Sequence, residues 1–290
     1  MRSPSQDRWF LARVRRRRSR MDARLQLRVQ RYGWDRAAAH YEQAWLHALA
    51  PATAAVLARA ALRPGEHVLD VACGSGVLTR AAWPLVAPGG GDVLGTDLSE
   101  QMLAQASGQL PQCRFVRADG QCLEDGLGAE DFDVVLCGLG LMYMPDPERA
   151  LASMVRRLRP GGRLVVSVWG ERRACAWADL FPIVDAQVHS EVCPMFFRLG
   201  GGDALAYALR SAGLRSVATD RITTTADYAD AQSACDAAFV AGPVALAYSR
   251  FDDATRAAVR TEYLASIAPW RVQSGYSLPG EFVIGSAWLP

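Results

Sequence analysis

Five nearly continuous apolar runs, each separated from the next by enough chain for a helix, constrain this protein more than any other feature. They read HVLDVA at 67–72, DVLGTD at 92–97, CRFVRAD at 113–119, FDVVLCGLG at 132–140 and GRLVVSVW at 162–169. Such runs suit strands covered on both faces, and parallel strands need crossovers of a dozen or more residues. The expected architecture is α/β: an open, mostly parallel sheet with helices on both faces and a ligand crevice at the carboxyl ends of its strands.

The segments between and around the runs carry helix signals. Asp146 as cap, Pro147 at the first helical position and Glu148 near the positive end begin one crossover helix, with Ala150, Leu151, Met154 and Leu158 facing inward and RPGG as its stop. Before the first strand, Asp35 caps a helix in which Tyr41, Trp45 and Leu49 recur at four-residue steps, and PATAAVLARAAL at 51–62 forms a second. After Trp169 the rhythm breaks. Residues 170–200 read as an insertion rich in Trp, Phe, Cys and Arg, followed by a helix at 202–214, a strand at 214–225, two more helical stretches and a last strand at 280–288.

Bulk properties narrow the class. With 290 residues, 50% apolar and 21% charged, the chain can bury one large core, and residues 32–290 read as a single domain with cap helices at 32–62. No apolar run is long enough to span a bilayer and no apolar secretory segment is seen, which makes the cytoplasm the default location. Residues 1–31 hold eleven arginines against Asp7 and Asp22. This basic extension reads as a disordered, solvated tail; its cluster RVRRRRSR could also contact nucleic acid or an anionic membrane. The chain has neither Lys nor Asn, so coding bias accounts for part of the Arg excess, and Met21 is an alternative start. Seven cysteines with no CxxC pair fit a reducing compartment, and four histidines without ligand spacing imply no metal site.

The stretch VLDVACGSGVLT at 68–79 carries the chemistry. Glycines after a strand permit a tight turn and close backbone approach to a ligand at a helix N-terminus. A dinucleotide-binding G-x-G-x-x-G would place its third glycine where Thr79 stands. Asp97, closing the second strand, can accept from both ribose hydroxyls of any nucleoside, so that residue alone does not separate cofactors.

Taken in order, VLDVACGSG, GTDLSEQML, RADGQ, FDVVLCGLGLMYMPDPERAL and RRLRPGGRLVV resemble the class I S-adenosylmethionine-dependent methyltransferases, in particular the ubiquinone and menaquinone C-methyltransferase branch. The resemblance covers about residues 32–170. It implies a Rossmann-like seven-stranded sheet in the order 3-2-1-4-5-7-6, strand 7 antiparallel, and S-adenosyl-L-methionine as cofactor with S-adenosyl-L-homocysteine as product. It also implies roles: Ala72, Gly74 and Gly76 along the methionine moiety, Asp70 toward its ammonium, Asp97 on the ribose, and Leu98 and Met102 against the adenine. Asp119 and Gly120 would meet the adenine edge, Cys137 and Gly138 would close the site below the sulfonium, and Tyr41 would serve as a lid.

A methyl donor of this kind is already activated, so the enzyme's work is alignment, water exclusion and, where needed, proton removal. Expected walls are Tyr32, Trp34, His40, Tyr41 and Tyr143 on one side, and Trp169, Arg173, Trp177, Phe181, His189, Phe196, Phe197 and Arg198 on the other, suiting a planar or lipophilic small molecule. Tyr143 and His40 are the candidates for catalysis. Two other acceptors stay open: a thiol or arsenite captured by Cys175 and Cys193, or nucleic acid held by the Arg-rich tail, including a non-catalytic binding role.

Overall fold

The computed structural model describes residues 23–188 and 191–290. Among the described residues there are eight strands, β1 (His67–Val71), β2 (Asp92–Asp97), β3 (Arg114–Arg117), β4 (Phe132–Gly138), β5 (Leu158–Trp169), β6 (Arg215–Tyr228), β7 (Arg271–Val272) and β8 (Gly275–Trp288). They form one sheet in the order β3-β2-β1-β4-β5-β8-β6, with β7 paired to β8. The seven long strands keep the order expected from the resemblance, and the two-residue β7 is an addition. Neighbours from β3 to β5 are parallel, whereas β8 runs antiparallel to both β5 and β6. Register sets the carboxyl ends of the central strands level, because Asp70 pairs with Gly95 on one side and with Leu136 on the other.

Ten helices are described: α1 (Ala23–Ala60), α2 (Val77–Val86), α3 (Glu100–Gln109), α4 (Glu124–Leu127), α5 (Pro147–Val155), α6 (Leu180–Val188), α7 (Ala204–Ser211), α8 (Ala231–Phe239), α9 (Ala245–Ser249) and α10 (Asp253–Ser266). In α5 the cap forms as the sequence predicts, Asp146 Oδ1 accepting from the Arg149 amide at 2.9 Å. Its stop differs: the helix ends at Val155, and RPGG lies inside β5, where the β4–β5 register shifts between Phe132 and Val134. Leu158 is buried there as a strand residue.

The cap departs most from expectation. In place of a tail reaching residue 31 and two helices after it, α1 runs unbroken from Ala23 to Ala60 through Pro51. Trp45, Ala48, Leu49, Ala52, Val56 and Ala60 are buried on either side of the proline, so burial against the sheet outweighs the lost hydrogen bond. Asp35 caps no helix of its own. Inside α1, it accepts at Oδ1 from the Ser99 hydroxyl at 2.6 Å and the Gln101 amide at 3.2 Å, fastening the cap to the start of α3. The Arg-rich run 13–20 and Met21 lie outside the described residues.

The carboxyl end of β5 opens into the 170–200 segment, which carries α6 and a group of aromatic rings. Three helices, α8 to α10, intervene between β6 and β7 where two were expected. The first two, α8 and α9, close against α1, with the Pro243 carbonyl 3.3 Å from where a Cβ on Gly33 would stand.

Candidate active site

A cleft of about 1140 Å³, open mouth included, sits over the carboxyl ends of β1, β2 and β4. A second cavity of about 560 Å³, its opening included, lies beside it, and Tyr41, Leu49, Ala72, Gly74, Gly138 and Leu139 line both. Ala72 and Leu139 hold φ of 57° and 58° at the ends of β1 and β4. Non-glycine residues in that left-handed region carry strain, a feature that concentrates at functional sites.

Two carboxylates organise the floor. Asp97 accepts the Gly74 amide on Oδ2 at 2.9 Å and the Ser99 amide on Oδ1 at 2.8 Å. Each oxygen retains a lone pair for an incoming hydroxyl. Burial, the largest cause, raises the pKa of this carboxyl above its ordinary value despite those amides. Asp70, 1% exposed, lines the second cavity. Its Oδ2 accepts the Thr79 hydroxyl at 2.6 Å, while its Oδ1 has no hydrogen-bond partner. Burial pushes its pKa from 3.8 to about 7. A cation would reverse that shift and satisfy the orphaned oxygen. Thr79, the residue that breaks the dinucleotide pattern, thus orients the acid of the loop.

The two glycines of the loop divide the work. A Cβ on Gly74 (φ 56°) would meet nothing within 4 Å, and this residue lines both cavities. On Gly76 (φ 86°) a Cβ would stand 3.1 Å from Leu110 and 3.2 Å from Ala106. Gly76 lines neither cavity: it makes the turn into α2 and lets α3 pack close. Asp119 and Gly120 line the cleft with Leu98 and Met102. Asp119 Oδ1 is already held by the Gln121 amide at 2.9 Å and by Gln121 Nε2 at 3.2 Å. Cys137, expected below the sulfonium, lines neither cavity. It is fully buried, and strand alternation puts its neighbour Gly138 on the cleft instead.

The roof is aromatic. Trp34 meets Tyr41 edge-on at 5.7 Å and Tyr143 at 5.0 Å, and Tyr143 meets Phe196 at 5.3 Å. Trp177 lies 5.5 Å from Phe196, and Phe181 lies 4.7 Å from it. Trp45, Trp169, Trp177, Phe181 and Phe196 also line the cleft. Other expected wall residues do not: Tyr32 and His40 are exposed on the outer side of α1, Arg173 pairs with Glu171, and Arg198 pairs with Glu148. Phe197 packs behind Phe196 at 4.8 Å, and His189 lies outside the described residues. His40 follows from helix phase. Trp34, Tyr41 and Trp45 share the inner stripe, and one residue before Tyr41 the helix has turned about 100° away.

Tyr143 is on the cleft, but burial holds its hydroxyl well above the ordinary phenol pKa, with Cys193 and Tyr41 adding to the effect. It is a donor at neutral pH. Cys175 and Cys193 line neither cavity, and burial pushes their thiols up to about 11 and about 12, which leaves them protonated and poor nucleophiles. Among the described residues no group of three His, Cys, Asp or Glu could hold a metal ion. Sequence reading missed Leu27, Gln30, Met144, Ala238, Gly242 and Pro243, all of which line the cleft. The last three come from the long β6–β7 connection, whose sequence gives no sign of where it folds.

Residues 68–162 match the family model described as a methyltransferase domain. The chain is 39% identical over 112 residues to a ubiquinone/menaquinone biosynthesis C-methyltransferase of Bordetella parapertussis, covering 38% of this chain and 43% of that enzyme. It is 34% identical over 125 residues to an uncharacterized protein of Mycobacterium tuberculosis, covering 42% and 43%. The chain thus spans under half the length of these curated relatives. In fold it resembles Haemonchus contortus phosphoethanolamine N-methyltransferase 2, solved with S-adenosyl-L-methionine, with TM-score 0.53 and 16% identity over 82% of this chain and 52% of that one. Residues 68–162 thus carry the methyltransferase-domain match, on a sheet whose strand order is the one implied by the resemblance to class I S-adenosylmethionine-dependent methyltransferases.

Proposed function

We propose that this protein transfers a methyl group from S-adenosyl-L-methionine to a small, planar, largely apolar molecule. The observation that carries the reading is the juxtaposition at the strand ends. A buried carboxylate with one unpartnered oxygen and a backbone cradle open at Gly74 adjoin an aromatic compartment through the shared wall at Tyr41.

The residues present fit the cofactor. Asp70 Oδ1 would take its ammonium, Ala72 and Gly74 its amino-acid backbone, Asp97 its ribose hydroxyls, and Asp119 and Gly120 the adenine edge, with Leu98 and Met102 against the ring. When bound, S-adenosyl-L-methionine supplies a methyl already activated on a sulfonium. Trp34, Phe181 and Phe196 confine the acceptor and exclude water, which favours a reactive alignment. Tyr143 donates a hydrogen bond to the acceptor and does not remove its proton. Among the described cleft residues the ionisable side chains are Arg31, Tyr41, Asp97, Asp119 and Tyr143. Asp97 and Asp119 are committed to the cofactor, so the acceptor brings an atom that is nucleophilic without a strong enzymic base. S-adenosyl-L-homocysteine leaves as product. No described helix is long and apolar enough to cross a membrane.

The test is incubation with methyl-labelled donor and a small-molecule extract. Label should move into apolar, ring-containing compounds and should disappear with Asp97→Ala. Transfer to nucleic acid or protein alone, or no transfer together with no calorimetric binding of S-adenosylhomocysteine, overturns the reading.

A further inference from the structure

Two buried polar groups on the cleft wall have no role in holding the cofactor. Gln30, 4% exposed on α1, lines the cleft. Its Nε2 donates to the Val192 carbonyl and to Cys193 Sγ, both at 3.3 Å. Its Oε1 has no partner. The orientation of this amide is fixed, because turning it over would set Oε1 against the Val192 carbonyl, acceptor to acceptor. Trp177, also 4% exposed, lines the same cleft, and its indole N–H has no acceptor.

The two belong to one compartment. Gln30 is bonded to residues 192 and 193, the Phe196 amide donates to the Cys193 carbonyl at 3.2 Å, and Trp177 packs on Phe196 at 5.5 Å. Trp34, Tyr143, Phe181 and Phe196 supply the surrounding apolar surface. A buried polar group left without a partner costs more than a made hydrogen bond gains. Both atoms are buried without a protein partner on residues that line this cleft, which makes a molecule filling the compartment a natural source of one.

We infer that Gln30 and Trp177 are the specificity-determining polar pair of the methyl-acceptor subsite. Gln30 Oε1 accepts from a hydroxyl or N–H of the acceptor, and the Trp177 indole N–H donates to a separate carbonyl-type oxygen. The acceptor class is therefore a flat apolar body carrying one hydrogen-bond donor and one acceptor. Molecules with neither, such as plain hydrocarbons, leave both groups unpaired and are rejected, since a site built around a polar partner discriminates strongly against analogues lacking it. This rests on the proposed methyltransferase reading and names the substrate class within it.

The test uses protein loaded with S-adenosylhomocysteine and three probes: para-hydroxyacetophenone, with donor and acceptor; para-ethylphenol, with the hydroxyl only; and acetophenone, with the carbonyl only. Affinities are read by calorimetry or by quenching of tryptophan emission. Para-hydroxyacetophenone should bind best. Gln30→Leu should weaken the two hydroxyl-bearing probes about tenfold and leave acetophenone unchanged. Trp177→Phe should weaken the two ketones by a similar factor and leave para-ethylphenol unchanged. S-adenosylhomocysteine affinity, measured in the same samples, controls for folding. Equal losses for all three probes, the result expected if ordered water satisfies both groups, overturn the inference, as does no binding of any probe to loaded protein. Failure of the proposed function is separable, because it appears as loss of S-adenosylhomocysteine binding by the unsubstituted protein.

Discussion

The floor and the roof of the cleft are built by different means. The floor is backbone at the ends of hydrogen-bonded parallel strands, and register fixes it. Ala72, Gly74, Asp97 and Gly138 stand where they do because β1, β2 and β4 end level. The roof is side chains brought from α1, from residues 142–144, from the 169–196 segment and from 238–243, and packing fixes it together with the Gln30 and Asp35 hydrogen bonds. A floor of this kind determines a cofactor, and a roof of this kind determines an acceptor.

The sharpest test of that separation is Phe196→Ala. Phe196, 2% exposed, touches four other rings, and truncating a buried phenylalanine costs about 3–5 kcal/mol. Urea unfolding should show that loss while S-adenosylhomocysteine affinity of the folded protein stays put. A parallel fall in affinity would join the two regions.

From the other side, Asp97→Ala removes a carboxylate that anchors two amides and would anchor the ribose, and should weaken S-adenosylhomocysteine about ten- to hundredfold in calorimetry. Unchanged affinity would undo the floor assignment.

Asp70 gives a pH signature. Its folded pKa is raised from 3.8 to about 7, so the folded state binds this proton more tightly than the unfolded one. Its stabilising effect is complete below 3.8 and is lost as pH rises through about 7. Melting temperature of the ligand-free protein should therefore decline across that window more steeply than in Asp70→Asn. Calorimetry below pH 7, in buffers of different ionisation enthalpy, should detect proton release when S-adenosylhomocysteine binds. Asp35→Ala, which unfastens the cap from α3, should cost about 1 kcal/mol in urea unfolding. Smallest of all, His40→Ala on the exposed side of α1 should leave stability within about 0.5 kcal/mol and turnover unchanged; a large drop in turnover would return it to the site.

How far the sequence could be read follows the same division. The apolar runs, the glycine loop and Asp97 were legible because strand ends and tight turns impose local residue requirements that need no knowledge of distant chain. Thr79 was legible as a broken pattern, yet its bond to Asp70 depends on the helix phase of α2. Where Gly76 and Cys137 stand was not legible for the same reason: whether a loop or strand residue faces a cavity or the core is set by what packs behind it, here Ala106 and Leu110 for one and strand alternation for the other. Asp35 carries a cap signal that the fold uses on another helix, since a carboxylate cannot announce which N-terminus it will meet. Gln30 fell within the stretch read as tail, because its own neighbours are arginines and its partners lie more than 160 positions away.

Ser99 connects the two halves. Its amide holds Asp97, its hydroxyl donates to Asp35 of the cap, and the same oxygen accepts the Met102 amide at the start of α3. A single residue thus sits on the path between Asp97, the proposed ribose anchor, and the helix that carries Gln30 and Trp34. Any free energy it transmits must read the same in both directions. If occupancy of the floor tightens the hold on an acceptor by some factor, the acceptor tightens the hold on the donor by that factor, and Ser99→Ala should lower both together.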